Sequence, residues 1–259
     1  MLKVSGVIIT YNEEKKIEKC LQSLMHVVDE IIVVDSFSTD HTKSICKTYD
    51  VTFIEQEFLG YIEQKNFALS QATNDYIVSL DGDESLSETL QKSILALKEN
   101  WTLDGYYCKR LNYFCGQWIK HTTWYPDKKL RVFDRRKAMW KGTNPHDRIE
   151  LNNPNAKIGF LKGDILHETY QTYSEFNKRV EKFSTISAQA NYKLGKKAPI
   201  YKIIINPTWA FIQSYFIKLG FLDGLNGLII SVQTANIRFL KYTKLRELIK
   251  QENKLPPKQ

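Results

Sequence analysis

Asp75-Tyr76-Ile77-Val78-Ser79-Leu80-Asp81-Gly82-Asp83 is the stretch on which the fold of this chain turns. A strand-like apolar run delivers two carboxylates onto a Gly turn. Carboxylates placed that way can hold a hard divalent cation, and such a cation is suited to neutralising a diphosphate. Asp-Gly is also an ordinary turn signal, so the neighbouring segments decide. Two earlier apolar runs end in polar clusters as well: Val4–Tyr11 leads into Asn12-Glu13-Glu14, and Glu30–Val34 into Asp35-Ser36-Phe37-Ser38-Thr39-Asp40.

Working outward, strand patterns at Val4–Tyr11, Glu30–Asp35, Val51–Glu55 and Asp75–Leu80 alternate with helical periodicity. The helices are expected at Glu14–Met25, Thr39–Tyr49, Tyr61–Ala72 and Ser87–Asn100. This predicts an α/β fold with a mostly parallel central sheet covered by helices on both faces. In open sheets of this kind ligands bind beyond the carboxyl ends of the strands, where the polar clusters fall here. After residue 105, strands are expected at Gly105–Arg110 and Leu130–Phe133, separated by an aromatic loop from Tyr113 to Tyr125. A helix is expected at Ser174–Lys193. A helical C-terminal segment, Ile200–Lys250, is expected to break near Asn206-Pro207 and at Asp223-Gly224, before a frayed tail beyond Asn253.

The 259 residues suffice for one large domain or two joined halves, and the chain has 42% apolar and 25% charged residues. Charge is unevenly spread. Residues 1–107 carry 9 basic and 18 acidic side chains, residues 108–150 carry 11 and 4, and residues 151–259 carry 17 and 7. The basic remainder suggests an anionic partner. No nucleic-acid module is recognisable, so a nucleic-acid partner is not expected. Cys20, Cys46, Cys108 and Cys115 form no Cys-x-x-Cys pair, and the short N-terminal apolar stretch is unlike a secretory leader. Reduced thiols and a cytoplasmic location are the expectation.

No Gly-rich nucleotide loop follows the first strand, which removes the usual sequence support for hydride transfer and for P-loop phosphoryl transfer. Thr10-Tyr11-Asn12-Glu13 stands there instead. Tyr11 suits a base face, and Asn12 and Glu13 suit base or ribose edges; the same residues also read as a helix N-terminus. Asp35 could accept from a ribose or uracil edge, while Ser38, Thr39 and Asp40 suit helix capping. Lys65 and Asn66 could reach base or phosphates, or be solvated. Asp83 best suits direct ligation of magnesium or manganese, and Asp81 suits ribose or sugar hydroxyls or an ion-bound water. Ser85-x-x-Glu88 resembles a capping box. Downstream, Asp147 in His146-Asp147 is a candidate base or a turn residue. His167, closing Ile158–Leu166, could complete a metal shell or be structural.

Together these residues resemble the family 2 glycosyltransferases with the GT-A fold. Thr10-Tyr11-Asn12-Glu13, Ile32-Val33-Val34-Asp35-Ser36, Lys65-Asn66 and Asp81-Gly82-Asp83-Glu84 stand in that family's order. The second half is similar to bacterial lipopolysaccharide inner-core glucosyltransferases. The pieces are Trp124-Tyr125-Pro126-Asp127-Lys128-Lys129-Leu130-Arg131, His146-Asp147, Leu166-His167-Glu168-Thr169-Tyr170 and Gly220-Phe221-Leu222-Asp223-Gly224 through Gly227. Members of that subfamily commonly have His-Glu where this chain has His146-Asp147.

The resemblance implies a UDP-sugar donor, a divalent metal (Mg2+ or Mn2+) and inverting transfer to a lipid-linked, anionic glycan acceptor. By position it makes Asp83 the main metal ligand, with Asp81 and His167 as further ligands, and Asp147 the base. Residues 1–105 would form the nucleotide-sugar half, 106–195 the acceptor half, and 196–259 a helical segment that associates with membrane. Arg131, Lys128 and Lys129 could meet acceptor phosphates, and Trp118, Trp124 and Trp140 could stack on sugars or pack in the core. Arg238–Lys250 sets Arg238, Lys241, Lys244, Arg246 and Lys250 among Ile237, Leu240, Leu245 and Leu248. Such a helix suits peripheral contact with the inner face of the cytoplasmic membrane, or an ordinary packed surface. A glycosyltransferase-like scaffold without turnover is the alternative.

Overall fold

The computed structural model describes residues 2–143 and 146–252. Asn144, Pro145 and the tail expected to fray lie outside the described residues. The first hundred residues follow the predicted alternation: β1 (Val4–Thr10), α1 (Ile17–Leu24), β2 (Glu30–Asp35), α2 (Thr42–Cys46), β3 (Thr52–Glu55), α3 (Tyr61–Gln71) and β4 (Tyr76–Asp81). There follow β5 (Glu84–Leu86) and α4 (Glu88–Glu99), then β6 (Gly105–Phe114), β7 (Gln117–Ile119), β8 (Asp127–Asp134), β9 (Ala138–Thr143), β10 (His146–Leu151) and β11 (Ile158–Tyr170). The chain closes with α5 (Tyr173–Lys193), α6 (Ile200–Ile212) and α7 (Gly224–Glu252).

By contact density the chain divides into two compact units. One comprises residues Met1–Leu111 and Asp127–Glu168, the other Asn112–Pro126 and Thr169–Gln259. The charge asymmetry of the sequence follows this division. The first unit has 21 Lys or Arg and 24 Asp or Glu, the second 16 and 5.

The main sheet runs β3-β2-β1-β4-β8-β6-β11-β5. Its β3-β2-β1-β4 half is parallel, whereas β4–β8, β8–β6 and β11–β5 pair antiparallel, so the sheet is mixed. Alternate residues point to opposite faces, and both faces are apolar. Val4, Ile8, Ile31, Val33, Val78 and Leu80 pack with Leu21 and Leu24 of α1 and Leu90 and Ile94 of α4. Val7, Ile32, Val34 and Ile77 face the other way, onto Ala68 and Leu69 of α3 and Trp140 and Ile149 of the β9–β10 hairpin. Double coverage explains why these strands read as continuous apolar runs, and each buried Leu or Ile contributes about 1.5–3 kcal/mol.

Two local expectations fail. Ser85-x-x-Glu88 is not the cap of α4: Ser87 is, accepting from Leu90 N, because Glu84–Leu86 are held as a strand against β11. Nor does the chain break at Asn206-Pro207, since α6 runs through Pro207. The break comes later, in a π-turn at Gln213–Ile217 and a 3-10 turn at Gly220–Asp223.

In the second unit, Phe114, Ile119, Phe176, Val180 and Ile230 form one core, and Ala188, Ala198 and Leu245 another, joining α5 to α7. Leu240 and Leu248 pack against these cores. Lys244 bonds to Glu181, Ser184 and Thr185, and Arg246 to the carbonyl of Ala198. The apolar side of Arg238–Lys250 therefore packs inside its own unit, the second of the two readings that its sequence pattern allowed.

Candidate active site

Parallel register sets three polar clusters side by side. Thr10 lies opposite Asp35 on β2, and Ile9 opposite Asp81 on β4. The turns beyond are pinned to β1: Ser36 N donates to Thr10 O at 3.0 Å and Gly82 N to Ile9 O at 2.9 Å. Only glycine fits between the two aspartates, because a Cβ on Gly82 would stand 2.6 Å from Thr10 Oγ1. Asn12, at φ +54, accepts from Thr39 N through its side chain while its own N–H donates to Ser38 Oγ, and so ties the two loops together. Asp35 is fully buried and accepts from the N–H and hydroxyl of Ser38. Tyr11 and Phe37 are left exposed on these loops, Phe37 with φ +59. Sequence reasoning passed over Phe37; a positive φ on an aromatic residue leaves no sequence signal.

Asp81 sits in a cationic clamp. Lys65 Nζ lies 2.9 Å from Asp81 Oδ1 and 2.8 Å from Asp147 Oδ2, and it stands over the Trp140 ring at 4.3 Å. Arg131 Nη2 lies 3.1 Å from Asp81 Oδ2 and 3.1 Å from Glu84 Oε1. Glu84, whose side chain is wholly buried, also takes Arg110 Nη1 at 3.1 Å and the backbone N–H of Asp81 at 3.0 Å. Burial by itself would raise the Asp81 pKa. The adjacent Lys65 and Arg131 charges outweigh it and hold the carboxyl well below the usual range. Arg131 is pushed upward by Glu84 and Asp81 against its own burial.

This network revises several roles. Arg131 is 3% exposed and is the counter-ion of Asp81 and Glu84, not a surface contact for acceptor phosphates. Trp140 is buried beneath Lys65 and Arg131. Asn66 spends its amide on the backbone of Trp140, with bonds of 2.9 and 3.0 Å, and so anchors the β9–β10 hairpin that carries Asp147. Glu84, to which the sequence analysis gave no role of its own, is the buried carboxylate that binds both arginines.

Asp83 is separate. Its Oδ2 lies 3.2 Å from His167 Nε2, and the backbone of Glu168 donates to its carbonyl at 3.3 Å. Pairing of β11 with β5, His167 opposite Glu84, makes that approach. Burial would raise the Asp83 carboxyl; the His167 bond and charge bring it below its ordinary value. Burial and the repulsion of Asp83 raise Glu13.

Among the described residues no group of three or more metal-type side chains is gathered. The pair Asp83–His167 nonetheless fits a manganese-like cation, a carboxylate oxygen and an imidazole nitrogen being suitable donors, with diphosphate oxygens able to complete the shell. Asp81, expected as a further ligand, is engaged by two cations in this arrangement. Unpartnered buried atoms lie around the same residues: Thr10 Oγ1, Arg131 Nε and Nη1, and Trp140 Nε1. Buried polar atoms left over in one place are what a polar ligand would satisfy.

Trp124 belongs to the second unit, edge-on to Phe114 and Phe176 and tilted against Tyr170. Its ring is part of that aromatic core. In the same unit Asp223 accepts from the backbone N–H groups of Lys120 and His121 at 3.2 and 2.8 Å.

The Asp-Gly-Asp turn at the end of the parallel strands, with a paired Lys and Asp beside it, is a charged site at the carboxyl edge of the sheet. The profile of glycosyl transferase family 2 matches residues 5–155, and the chain belongs to that family. It is 32% identical over 257 residues to an uncharacterized glycosyltransferase of Rickettsia typhi, covering 96% of this chain and 88% of the relative. It is 29% identical over 254 residues to the lipopolysaccharide core biosynthesis glycosyltransferase LpsC of Rhizobium meliloti, covering 94% and 92%. Among solved structures, S. aureus TarS 1-349 in complex with UDP-GlcNAc aligns with 97% of this chain and 92% of its own, at 16% identity and a TM-score of 0.48. The chain is a glycosyltransferase.

Proposed function

We propose that this glycosyltransferase moves a hexose, glucose in the first instance, from a UDP-sugar to a lipopolysaccharide core or related lipid-linked glycan, with inversion at the anomeric carbon. The observation that carries the reading is the Lys65 bridge. One ammonium joins Asp81, at the donor-side strand end, to Asp147, the candidate base. Tyr11 offers a face to the uracil, and Thr10, Glu13 and Asp35 line the strand ends where base and ribose would lie. Asp83 and His167 would hold Mg2+ or Mn2+, which when bound neutralises charge on the departing diphosphate. Lys65 fixes the Asp147 carboxylate through its Oδ2, and Asp147 accepts the proton of the attacking acceptor hydroxyl. A single displacement with one base inverts configuration. The core biosynthesis role of the Rhizobium relative supports a glycan acceptor. Cytoplasmic location with peripheral contact at the inner face of the cytoplasmic membrane belongs to the same proposal, since a lipid-linked acceptor resides there.

The test is a screen of nucleotide-sugars for hydrolysis, with and without manganese, followed by transfer assays on Asp147→Asn. UDP-glucose should be consumed in a metal-stimulated reaction. Asp147→Asn should lower transfer at least about 100-fold while sparing UDP affinity. Near-normal turnover in that variant, or hydrolysis confined to a non-uridine donor, would overturn the assignment.

A further inference from the structure

The apolar side chains of the second unit are not all inside it. Of the thirteen residues of α6, Ala210 alone is buried. Ile204, Ile205 and Trp209 are 63%, 58% and 55% exposed, and with Ile200, Tyr201 and Ile212 they recur at the spacing of one helical face. The exposure continues through the turns, at Phe216, Ile217 and Leu222, and into α7, where Leu225 is 67% exposed. Soluble surfaces rarely leave so many large apolar residues together without a partner.

Charge identifies the partner. From Lys182 to Arg246 there are ten Lys or Arg and one acidic residue, Asp223. That aspartate is buried and occupied by the Lys120 and His121 backbone. The charged side chains that this segment leaves to solvent are therefore cations, among them Lys196, Lys197, Lys202 and Lys218, which flank or interrupt the exposed apolar residues in sequence. A second copy of the chain would bring like charges together. An anionic lipid surface supplies hydrocarbon for the face and counter-charge for its rim. Among the described residues no single helix is long and apolar enough to cross a membrane, and α6 with its turn meets α7 at 71°, a bent pair suited to entering one leaflet.

We propose that the apolar face of α6, the Gln213–Asp223 turns and the start of α7 inserts into the anionic leaflet of a bilayer. This deepens the membrane contact proposed above and rests on that reading for its biological place. It moves the contact from Arg238–Lys250, whose apolar side is packed, to Ile200–Leu225. The glycines and Asp223 hold the bend: Ser231 and Ser214 hydroxyls bond at 2.8 Å, and Gly220 and Gly227 pack backbone against backbone.

The experiment is flotation of the full chain with phosphatidylcholine vesicles, with and without about 30% phosphatidylglycerol, at low and high salt. The wild type should float with anionic vesicles. Ile205→Glu/Trp209→Glu should weaken binding about tenfold or more, with circular dichroism and UDP affinity unchanged. Lys202→Gln/Lys218→Gln should weaken it several-fold at low salt only. If the Glu variant misfolds, Trp quenching by bromine-labelled lipid in the wild type, compared with Trp209→Phe, still reports insertion; the quenching should fall in Trp209→Phe. No wild-type flotation, undiminished flotation of a folded Glu variant, or quenching unchanged by Trp209→Phe would overturn the proposal. A wild-type dimer that the Glu variant converts to monomer, without vesicle binding, would overturn it in favour of self-association. Because UDP affinity is read separately, loss of the donor-site reading leaves these outcomes distinguishable.

Discussion

Glu84 has a wholly buried side chain that binds Arg110, Arg131 and the Asp81 backbone. Removing its charge leaves two guanidinium groups short of a counter-ion in a dry site, so Glu84→Gln should cost about 3–5 kcal/mol, measurable by urea denaturation. Glu13 gives the opposite sign. Its folded pKa is raised, by burial first and then by Asp83, so ionisation costs stability above that raised value. Glu13→Gln should therefore raise Tm at neutral pH by about 1–3 °C. The gain should vanish toward about pH 4, as the wild-type residue takes up its proton in folded and unfolded chains alike. A gain that grows in acid would contradict the assignment. At this scale the sequence singled out Asp81, Asp83, Lys65 and Asp147 by type and place, and the structure sets Lys65 between Asp81 and Asp147. The sequence did not show their pairing. Lys65 meets Asp147 across 82 residues of sequence, and no local pattern encodes that meeting.

The β-strands before residue 105 were legible because strands buried on both faces write themselves as unbroken apolar runs. β5 was not. Three residues are too few for periodicity, and its capping-like pattern is overridden by pairing with β11. The β9–β10 hairpin was missed as well, because its inner residues Trp140 and Ile149 alternate with charged ones over a short span. Pro207 misled in the other direction, since a proline usually ends a helix. The bend that does occur is built by close approach instead. A Cβ on Gly227 would lie 1.8 Å from the carbonyl oxygen of Gly220. Gly227→Ala should destabilise the second unit by about 3 kcal/mol or more, seen as early loss of protection of α6 and α7 amides in hydrogen exchange. Unchanged protection would show that the turn can open without cost.

On the scale of the whole chain, charge divides with the two units. The nearly balanced first unit carries the Asp81–Asp83 edge, and the strongly basic second unit carries the exposed apolar helices. The N- to C-terminal gradient was legible as a gradient, but not as a division between units, because the chain crosses between them at residues 111, 126 and 168. Within the first unit the account turns on whether the Asp83–His167 edge and the Asp81 clamp together receive a metal-bridged diphosphate. Calorimetric titration of UDP into the full chain, with and without manganese, in wild type and Asp83→Asn, measures this directly. The account predicts binding strengthened at least about tenfold by manganese in the wild type, with that gain lost in Asp83→Asn. UDP binding that is absent, or that is the same with and without manganese in the wild type, would contradict it.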